Sequence, residues 1–459
     1  MTMELRGKSV LIVGFERTGE ALARFLVDRG ARVRVSDKKP AATFGARLRP
    51  FEERGVAFEL GGHRPETFLE ADIIVPSPGV PPLAEIRAAR EKGVPVLSEI
   101  ELAWLFLRGR IVGITGSNGK STTTTLTHAI LRDGGLRAHL AGNIGTPLIS
   151  FADKSRDDDV YVTEISSFQL EYTERFTPAV AAILNVSENH IDWHGTFDGY
   201  FAAKTKLLRR LGPEGRAVLN RDDARVWGLA AGAGAPVYGF SRRRRLARGA
   251  FLDDGRIVVR DGRPERVVAA SRIALPGAHN LENVLAAAMM GRLLGVPPAS
   301  MRRTILAFRG LEHRLENVLS LRGVRFVNDS KATTVDATLK ALASFDRPIV
   351  LILGGRGKGG DFSPLRPAVR KRVRAAVLVG EAADKIEKAL GGIVPVARAA
   401  NYREVVRTAF GLASRGDVVL LAPAATSWDM FKDFEERGRT FKREVRLLAG
   451  GLKRRGARP

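Results

Sequence analysis

The chain has 459 residues, more than one hydrophobic core serves, and its 44% apolar and 27% charged residues give the profile of a globular protein of several domains. It has no cysteine, which excludes disulfides, thiolate metal sites and cysteine nucleophiles, and no apolar run approaches the roughly 20 residues a membrane helix needs. Lys and Arg total 74 against 50 Asp and Glu, a net charge of +24 that raises nucleic acid as a partner.

The N-terminus enters a strand pattern directly, VLIVG at 10–14, without the features of a signal peptide, so a cytoplasmic address is expected. A helix pattern over TGEALARFLVDRG and a second strand, ARVRVSD, complete a βαβ unit that ends at Asp37. Between strand and helix lies GFERTG (14–19), close to the dinucleotide fingerprint, but Glu16 stands where the middle glycine would let a pyrophosphate approach, which disfavours NAD. Asp37, placed like a ribose-binding acid, keeps a nucleotide of some kind in view. ADIIVPSPG (71–79) and VPVLSE (94–99) read as further strands of a parallel sheet of about one hundred residues.

RIVGITG (110–116) opens a new βα unit containing GITGSNGKST (113–122). A strand, a glycine-rich turn and a helix starting at Lys120 make a phosphate-binding loop, with Lys120 for the β/γ-phosphates and the Ser121 hydroxyl for Mg²⁺. The spacing departs from the usual one, since Ile114 occupies the position of the first glycine. DVYVTEISS (159–167) and VAAILNVS (180–187) are buried strands that bring Glu164 and His190 to the same sheet edge, where a carboxylate and an imidazole suit a Mg²⁺-nucleotide site. GYFAAKTKLL (199–208) reads as a helix on which Lys204 alone looks like a snorkelling surface lysine. The densest basic run, Ser-Arg-Arg-Arg-Arg at 241–245, sits in a Gly/Ala-rich region without interleaved aromatics, so a solvated surface is favoured over nucleic acid.

A long helix pattern over 276–295 and a linker at 308–314 precede a third set of strands: VRFVNDS, RPIVLILGG, AAVLVGE, GIVPVAR and DVVLLAPA. Three of their ends carry NDSKAT (328–333), GGRGKGGDF (354–362) and TSWDMFKDF (426–434), a second substrate-binding rim. The pattern is α/β in three domains, with boundaries near 100 and 310.

The succession TGSNGKST, GNIGTP (142–147), EISSFQLE, NVSENHID, YFAAKTKLL, LPGAHNLENVLAA, HRLE, NDSKAT, GGRGKGGDF and SWDMFKDFEERG resembles the Mur ligase family, in order from about residue 10 to 440. The resemblance implies a Rossmann-like N-terminal domain (1–99), a central P-loop ATPase-like parallel-sheet domain (100–310) and a Rossmann-like C-terminal domain (311–459). It implies ATP-dependent joining of D-glutamate to UDP-N-acetylmuramoyl-L-alanine through an acyl phosphate, a cytoplasmic step of peptidoglycan precursor synthesis, by a monomer whose partners are small molecules and neither membrane nor nucleic acid. Thr18, Asp37 and Ser77 would then hold the UDP end, and Asn143 and His190 the muramoyl-alanine end. Gly116, Ser117, Asn118, Gly119, Lys120, Ser121 and Thr122 would bind ATP, with Asn280 and Asn283 towards the adenine and Arg314 and Asp329 as further nucleotide contacts. Ser121, Glu164, His190 and Lys204 would serve two Mg²⁺ ions, Lys204 as a carbamate formed with CO₂. Lys331, Thr333, Lys358, Ser427 and Phe434 match positions around D-glutamate. Arg17, Asn189 and Thr334 depart from the family pattern. Two alternatives are a folylpolyglutamate-type ligase of the same fold, which has no use for a uridine domain, and a P-loop ATPase acting on nucleic acid.

Overall fold

In the computed structural model, which describes residues 3–188, 191–275, 277–357 and 361–456, the strands form three sheets of four, nine and six strands among those residues. Two compact units change over at Phe308–Arg309, with 274–277 grouped with the second. No helix among the described residues is long and apolar enough to cross a membrane.

The first sheet comprises β1 (Ser9–Val13), β2 (Arg32–Asp37), β3 (Ala57–Leu60) and β4 (Ile73–Pro76), all parallel in the order β3-β2-β1-β4. The helix Arg17–Asp28 buries Leu22, Ala23, Phe25 and Leu26, the spacing that its apolar periodicity predicts. Gly19 lets this helix sit against the preceding turn, because a Cβ there would overlap the Gly14 carbonyl. VPVLSE is a correction. Val96 makes only an isolated bridge to Ile74, and Ser98 caps a helix, Glu99–Trp104, by accepting the Glu101 amide. The Glu101 carboxylate takes the amides of Glu174, Arg175 and Phe176 and so fastens this helix to the next sheet.

The second sheet contains β5 (Arg110–Thr115), β6 (Arg137–Gly142), β7 (Asp159–Glu164), β8 (Val180–Ile183), β9 (Arg216–Asn220), β10 (Val237–Ser241), β11 (Gly249–Asp253), β12 (Arg256–Asp261) and β13 (Arg263–Ala269). Its order is β13-β12-β11-β10-β9-β8-β5-β7-β6. Strands β5 to β11 run parallel, as expected, so their C-terminal ends share one edge. The far side departs from the all-parallel expectation, since β12 and β13 pair antiparallel. Asp254 and Gly255, both at positive φ, join β11 to β12 in the two-residue turn that suits a hairpin.

On the opposite side of this sheet Asp159 accepts from Arg137, His139, Tyr161 and the Arg156 amide. Burial alone would raise its carboxyl, but these donors outweigh it and hold the group well below the ordinary carboxylate range. A depressed folded value contributes stability above the unfolded carboxylate range that disappears as pH falls through it. Asp159→Asn is therefore expected to cost about 2 kcal/mol at pH 7 and progressively less below about pH 4, measured as the difference in urea midpoints across pH.

The third sheet, in the second unit, contains β14 (Glu316–Leu321), β15 (Val324–Asn328), β16 (Ile349–Gly354), β17 (Val373–Val379), β18 (Val396–Arg398) and β19 (Val418–Leu421), ordered β14-β15-β19-β16-β17-β18. All pairs are parallel except β14 with β15. The helices Val335–Ala343 and Phe434–Gly456 follow loops at the strand ends that carry the candidate residues.

Candidate functional site

β5 delivers the chain at Thr115 into the loop Gly116–Gly119, and the helix Lys120–Asp133 starts immediately after it. Gly119 precedes this helix at φ +80° and offers no capping side chain, the condition under which first-turn amides take an anion. Its lack of a Cβ is required twice over, since a Cβ would also overlap Asn283 Oδ1. Asn283 donates to Asn280 Oδ1 (3.2 Å) on the buried helix Ala278–Leu293, so both asparagines lie beside the loop. The chain after β8 backs the loop from below. Asn185 accepts the Asn118 amide (2.9 Å) and donates to its carbonyl (3.1 Å), the Ser117 amide bonds Asn185 O, and Ser117 Oγ meets the Ser187 amide and the Tyr200 hydroxyl. The standard spacing is absent, yet the loop is held in shape by side chains outside it.

The charged groups converge on this loop. Lys120 Nζ donates to Gly116 O (2.8 Å) and Ser117 O (3.2 Å), and Lys204 Nζ donates to the same Gly116 O (3.1 Å). Lys204 is 1% exposed and its Nζ lies 4.6 Å from the Tyr200 ring centre, which corrects the snorkelling reading. Burial first, and then the neighbouring Lys120 charge, push its amine well below the usual lysine range against the pull of Glu164. Glu164, the last residue of β7, is 2% exposed; Oε1 accepts from Asn143 Nδ2 (2.8 Å), and the Asn143 amide bonds Glu164 O. Glu164 Oε2 is buried and has no hydrogen-bond donor among the described residues. A buried carboxylate oxygen in that state fits a hard cation, with the buried Ser121, in the first turn of the helix after the glycine loop, as a second candidate oxygen donor. Among the described residues no three His, Asp or Glu cluster as a complete metal site, so such an ion would draw its other ligands from a bound phosphate or water.

In the first sheet the turn after β1 is built by the residues expected to hold a ligand. Asp37 Oδ2 accepts the Phe15 amide (2.8 Å), Asp37 Oδ1 accepts the Lys39 amide (2.9 Å), and Ser77 Oγ donates to Gly14 O (2.9 Å). Asp37 thus shapes the turn with both carboxylate oxygens, and Thr18 lies in the first turn of the helix that follows. Glu16, the intruder in the fingerprint, is paired with Lys39 and Arg47. Trp193 Nε1 donates to Val80 O (3.4 Å), and its ring lies tilted 4.9 Å from the Phe168 ring centre, linking the SPG loop to the chain beyond β8.

Within the second unit the three strand-end loops meet around Arg437, which sequence reasoning missed. Its guanidinium, 1% exposed, donates to Ser330 Oγ (3.0 Å) and Ser330 O (2.8 Å) after β15, to Gly354 O (3.4 Å) on β16, and to Ala425 O and Thr426 O (3.1 Å each) after β19. Its signal was spacing: 437, 441 and 445 fall on one helix face, and Phe441 and Val445 are fully buried. Asp329 is buried and takes the Leu315 amide (3.3 Å); burial raises its carboxyl to about 6, opposed by that amide and by Arg314. Lys331 Nζ lies 5.1 Å from the Phe434 ring centre, and the Thr333 amide bonds Lys331 O. Ser427 is buried and its carbonyl accepts the amides of Met430 and Phe431. Thr334, a departure from the family pattern, caps the helix Val335–Ala343 by accepting the Ala337 amide. His190, Asn189 and Lys358 lie outside the described residues.

Three family models match consecutive parts of the chain: a Mur ligase MurD-like N-terminal domain at 8–98, a Mur ligase middle domain at 114–291 and a Mur ligase glutamate ligase domain at 313–425. The chain is 47% identical over 444 residues to the UDP-N-acetylmuramoylalanine–D-glutamate ligase of Acidobacterium capsulatum, covering 96% of each chain. It is 44% identical over 449 residues to the ligase of the same name from Koribacter versatilis, covering 97% of this chain and 99% of the relative. Among solved structures its fold is similar to UDP-N-acetylmuramate–alanine ligase from Thermotoga maritima (TM-score 0.58, 17% identity, 96% and 100% covered). It is also similar to a pseudomurein peptide ligase type C from Methanothermus fervidus (TM-score 0.57, 18% identity, 96% and 100% covered).

Proposed function

The chain belongs to the Mur ligase family, and from that premise we propose that the loop, the two lysines and Glu164 activate a carboxylate with ATP for capture by an amine. The chain is an ATP-dependent ligase that adds D-glutamate to UDP-N-acetylmuramoyl-L-alanine in peptidoglycan precursor synthesis. ATP and Mg²⁺ are its nucleotide and metal. The observation that carries the site reading is Glu164 Oε2, buried and without a donor among the described residues, on the sheet edge that also holds the glycine loop.

A carboxylate is a poor acyl donor, so the alanyl carboxylate first takes the γ-phosphoryl group of ATP as an acyl phosphate. Two anions must then approach one another. Lys120 and the amides of Gly116–Thr122 lower that repulsion and receive the charge that spreads over the transferring group. Ser121 and Glu164 would hold Mg²⁺, which supplies further neutralisation of the phosphates when bound. Asn280 and Asn283 face the adenine, and Asn143 and His190 the muramoyl-alanine end. The burial of Lys204 favours its neutral amine, whose lone pair would attack CO₂; the new N–C bond forms as a proton leaves, and the resulting carbamate could help hold a second Mg²⁺. The amine of D-glutamate then attacks the acyl carbon and phosphate departs.

Domain roles follow the same reading: 1–99 for the UDP end through Thr18, Asp37 and Ser77, 100–310 for ATP, and 311–459 for D-glutamate. Lys331, Thr333, Lys358, Ser427 and Phe434 surround the amino acid, while Arg314 and Asp329 reach the nucleotide. The reading keeps the expectation of a monomer working in the cytoplasm. Omitting each substrate in turn from a phosphate-release assay tests it. Release is expected only with ATP, the sugar nucleotide and D-glutamate together, and release driven by DNA or RNA would favour the nucleic-acid ATPase instead.

A further inference from the structure

The basic run at 241–245 has no place in the mechanism above, yet its backbone is braced on the edge that bears the glycine loop. β10 runs parallel to β9, β8 and β5, so its C-terminal end opens on that edge. Asp222, two residues beyond β9, accepts from Ser241 Oγ (2.6 Å) and the Arg242 amide (2.9 Å), while Ser241 Oγ accepts from the amides of Arg243 and Arg244. The next residue, Asp223, accepts the Val186 amide (3.1 Å) in the segment that backs Ser117. Two consecutive aspartates therefore tie the arginine loop and the backing of the glycine loop to one point. Arg242 is fixed to Glu282 (2.8 Å), one residue from Asn283, whose side chain touches Gly119.

The acids of this region are consumed by those bonds, and Arg245 is paired with Asp253. Arg243 and Arg244 are exposed and make no ion pair among the described residues. Arg221, just after β9, and Arg225, on the short helix Ala224–Gly228, lie over Trp227 and Phe197 and add to the same positive rim. Holding two guanidiniums in water on the sheet edge that also bears the glycine loop, with their backbone fixed, has a direct electrostatic consequence: they raise the local concentration of a polyanion and speed its capture.

We propose that loop 242–245 is a docking rim for the triphosphate of the incoming nucleotide, with Arg243 and Arg244 as its contacting side chains. The inference rests on the reading of the glycine loop as an ATP site. In the full-length enzyme, the double variant Arg243→Glu/Arg244→Glu is expected to lose about tenfold in kcat/KM for ATP at low salt, carried by KM. The loss should shrink to less than about twofold near 0.5 M salt, where screening removes the field. Arg243→Gln/Arg244→Gln should lose less, and kcat/KM for the sugar nucleotide should change less than twofold in both. Equilibrium binding of a fluorescent ATP analogue gives the same comparison without turnover, so an inactive parent that still binds the analogue sinks the ligase reading and leaves this one measurable. Unchanged ATP affinity and salt slope, an equal loss for the sugar nucleotide, or loss of RNA oligonucleotide binding alone would each overturn the proposal.

Discussion

Lys204→Arg is expected to slow substrate-dependent phosphate release by about 10²–10³-fold, the scale of removing one preorganised charged group from an active site. The reason is chemical and not a matter of net charge. A guanidinium is as cationic as an ammonium, but it stays protonated and has no amine lone pair to give to CO₂. The native pocket does the opposite for lysine. It buries Nζ against Tyr200, sets Lys120 on the same carbonyl, and thereby favours the neutral amine. A readout independent of substitution follows in the unaltered protein. Activity should fall in CO₂-stripped buffer and return with bicarbonate, whereas the arginine variant should not respond to either. Full turnover by Lys204→Arg, or indifference of the parent to CO₂, would refute the assignment.

Much of this molecule could be read from local pattern because its chemistry sits where elements begin and end. The glycine loop, Glu164 at a strand tip and the three loops of the C-terminal sheet are punctuation between apolar runs, and such punctuation is visible in one dimension. What escaped was decided by distant packing or by a weaker signal left unused. Lys204 looks like a surface lysine until Tyr200 and the turn after β5 close over it. VPVLSE has strand composition, but Ser98 with Glu101 three residues on is a helix-start signature that overrides it. The β11–β12 hairpin announces itself through Asp254-Gly255 between alternating strands, a local signal that the surrounding parallel-strand pattern obscures. Asp37 and Ser77 were legible as positions, but their part in shaping the turn itself was not, since Asp37's bonds to the amides of Phe15 and Lys39 and Ser77's to the Gly14 carbonyl depend on packing.

Arg437→Ala should produce the largest loss of stability, confined to the unit that begins at Arg309. Removing the guanidinium leaves the buried carbonyls of Ser330, Gly354, Ala425 and Thr426 without this donor and opens a cavity the size of an arginine side chain. With buried acceptors costing about 1–3 kcal/mol each, a combined loss of about 4 kcal/mol or more is expected. Calorimetry should show it as a lowered transition for the C-terminal unit, because that unit has its own core, while the transition of the first unit moves little. Arg437→Lys keeps the charge but not the planar fork that reaches three loops at once, so it should recover less than half of the loss. The same geometry predicts a kinetic effect below the melting point. Ser330, Lys331 and Thr333 share one loop, and Ser427 follows directly on Thr426, so loosening the hub should raise KM for D-glutamate more than KM for ATP. An Arg437→Ala protein that melts like its parent, with D-glutamate affinity intact, would show that these loops hold their shape without it.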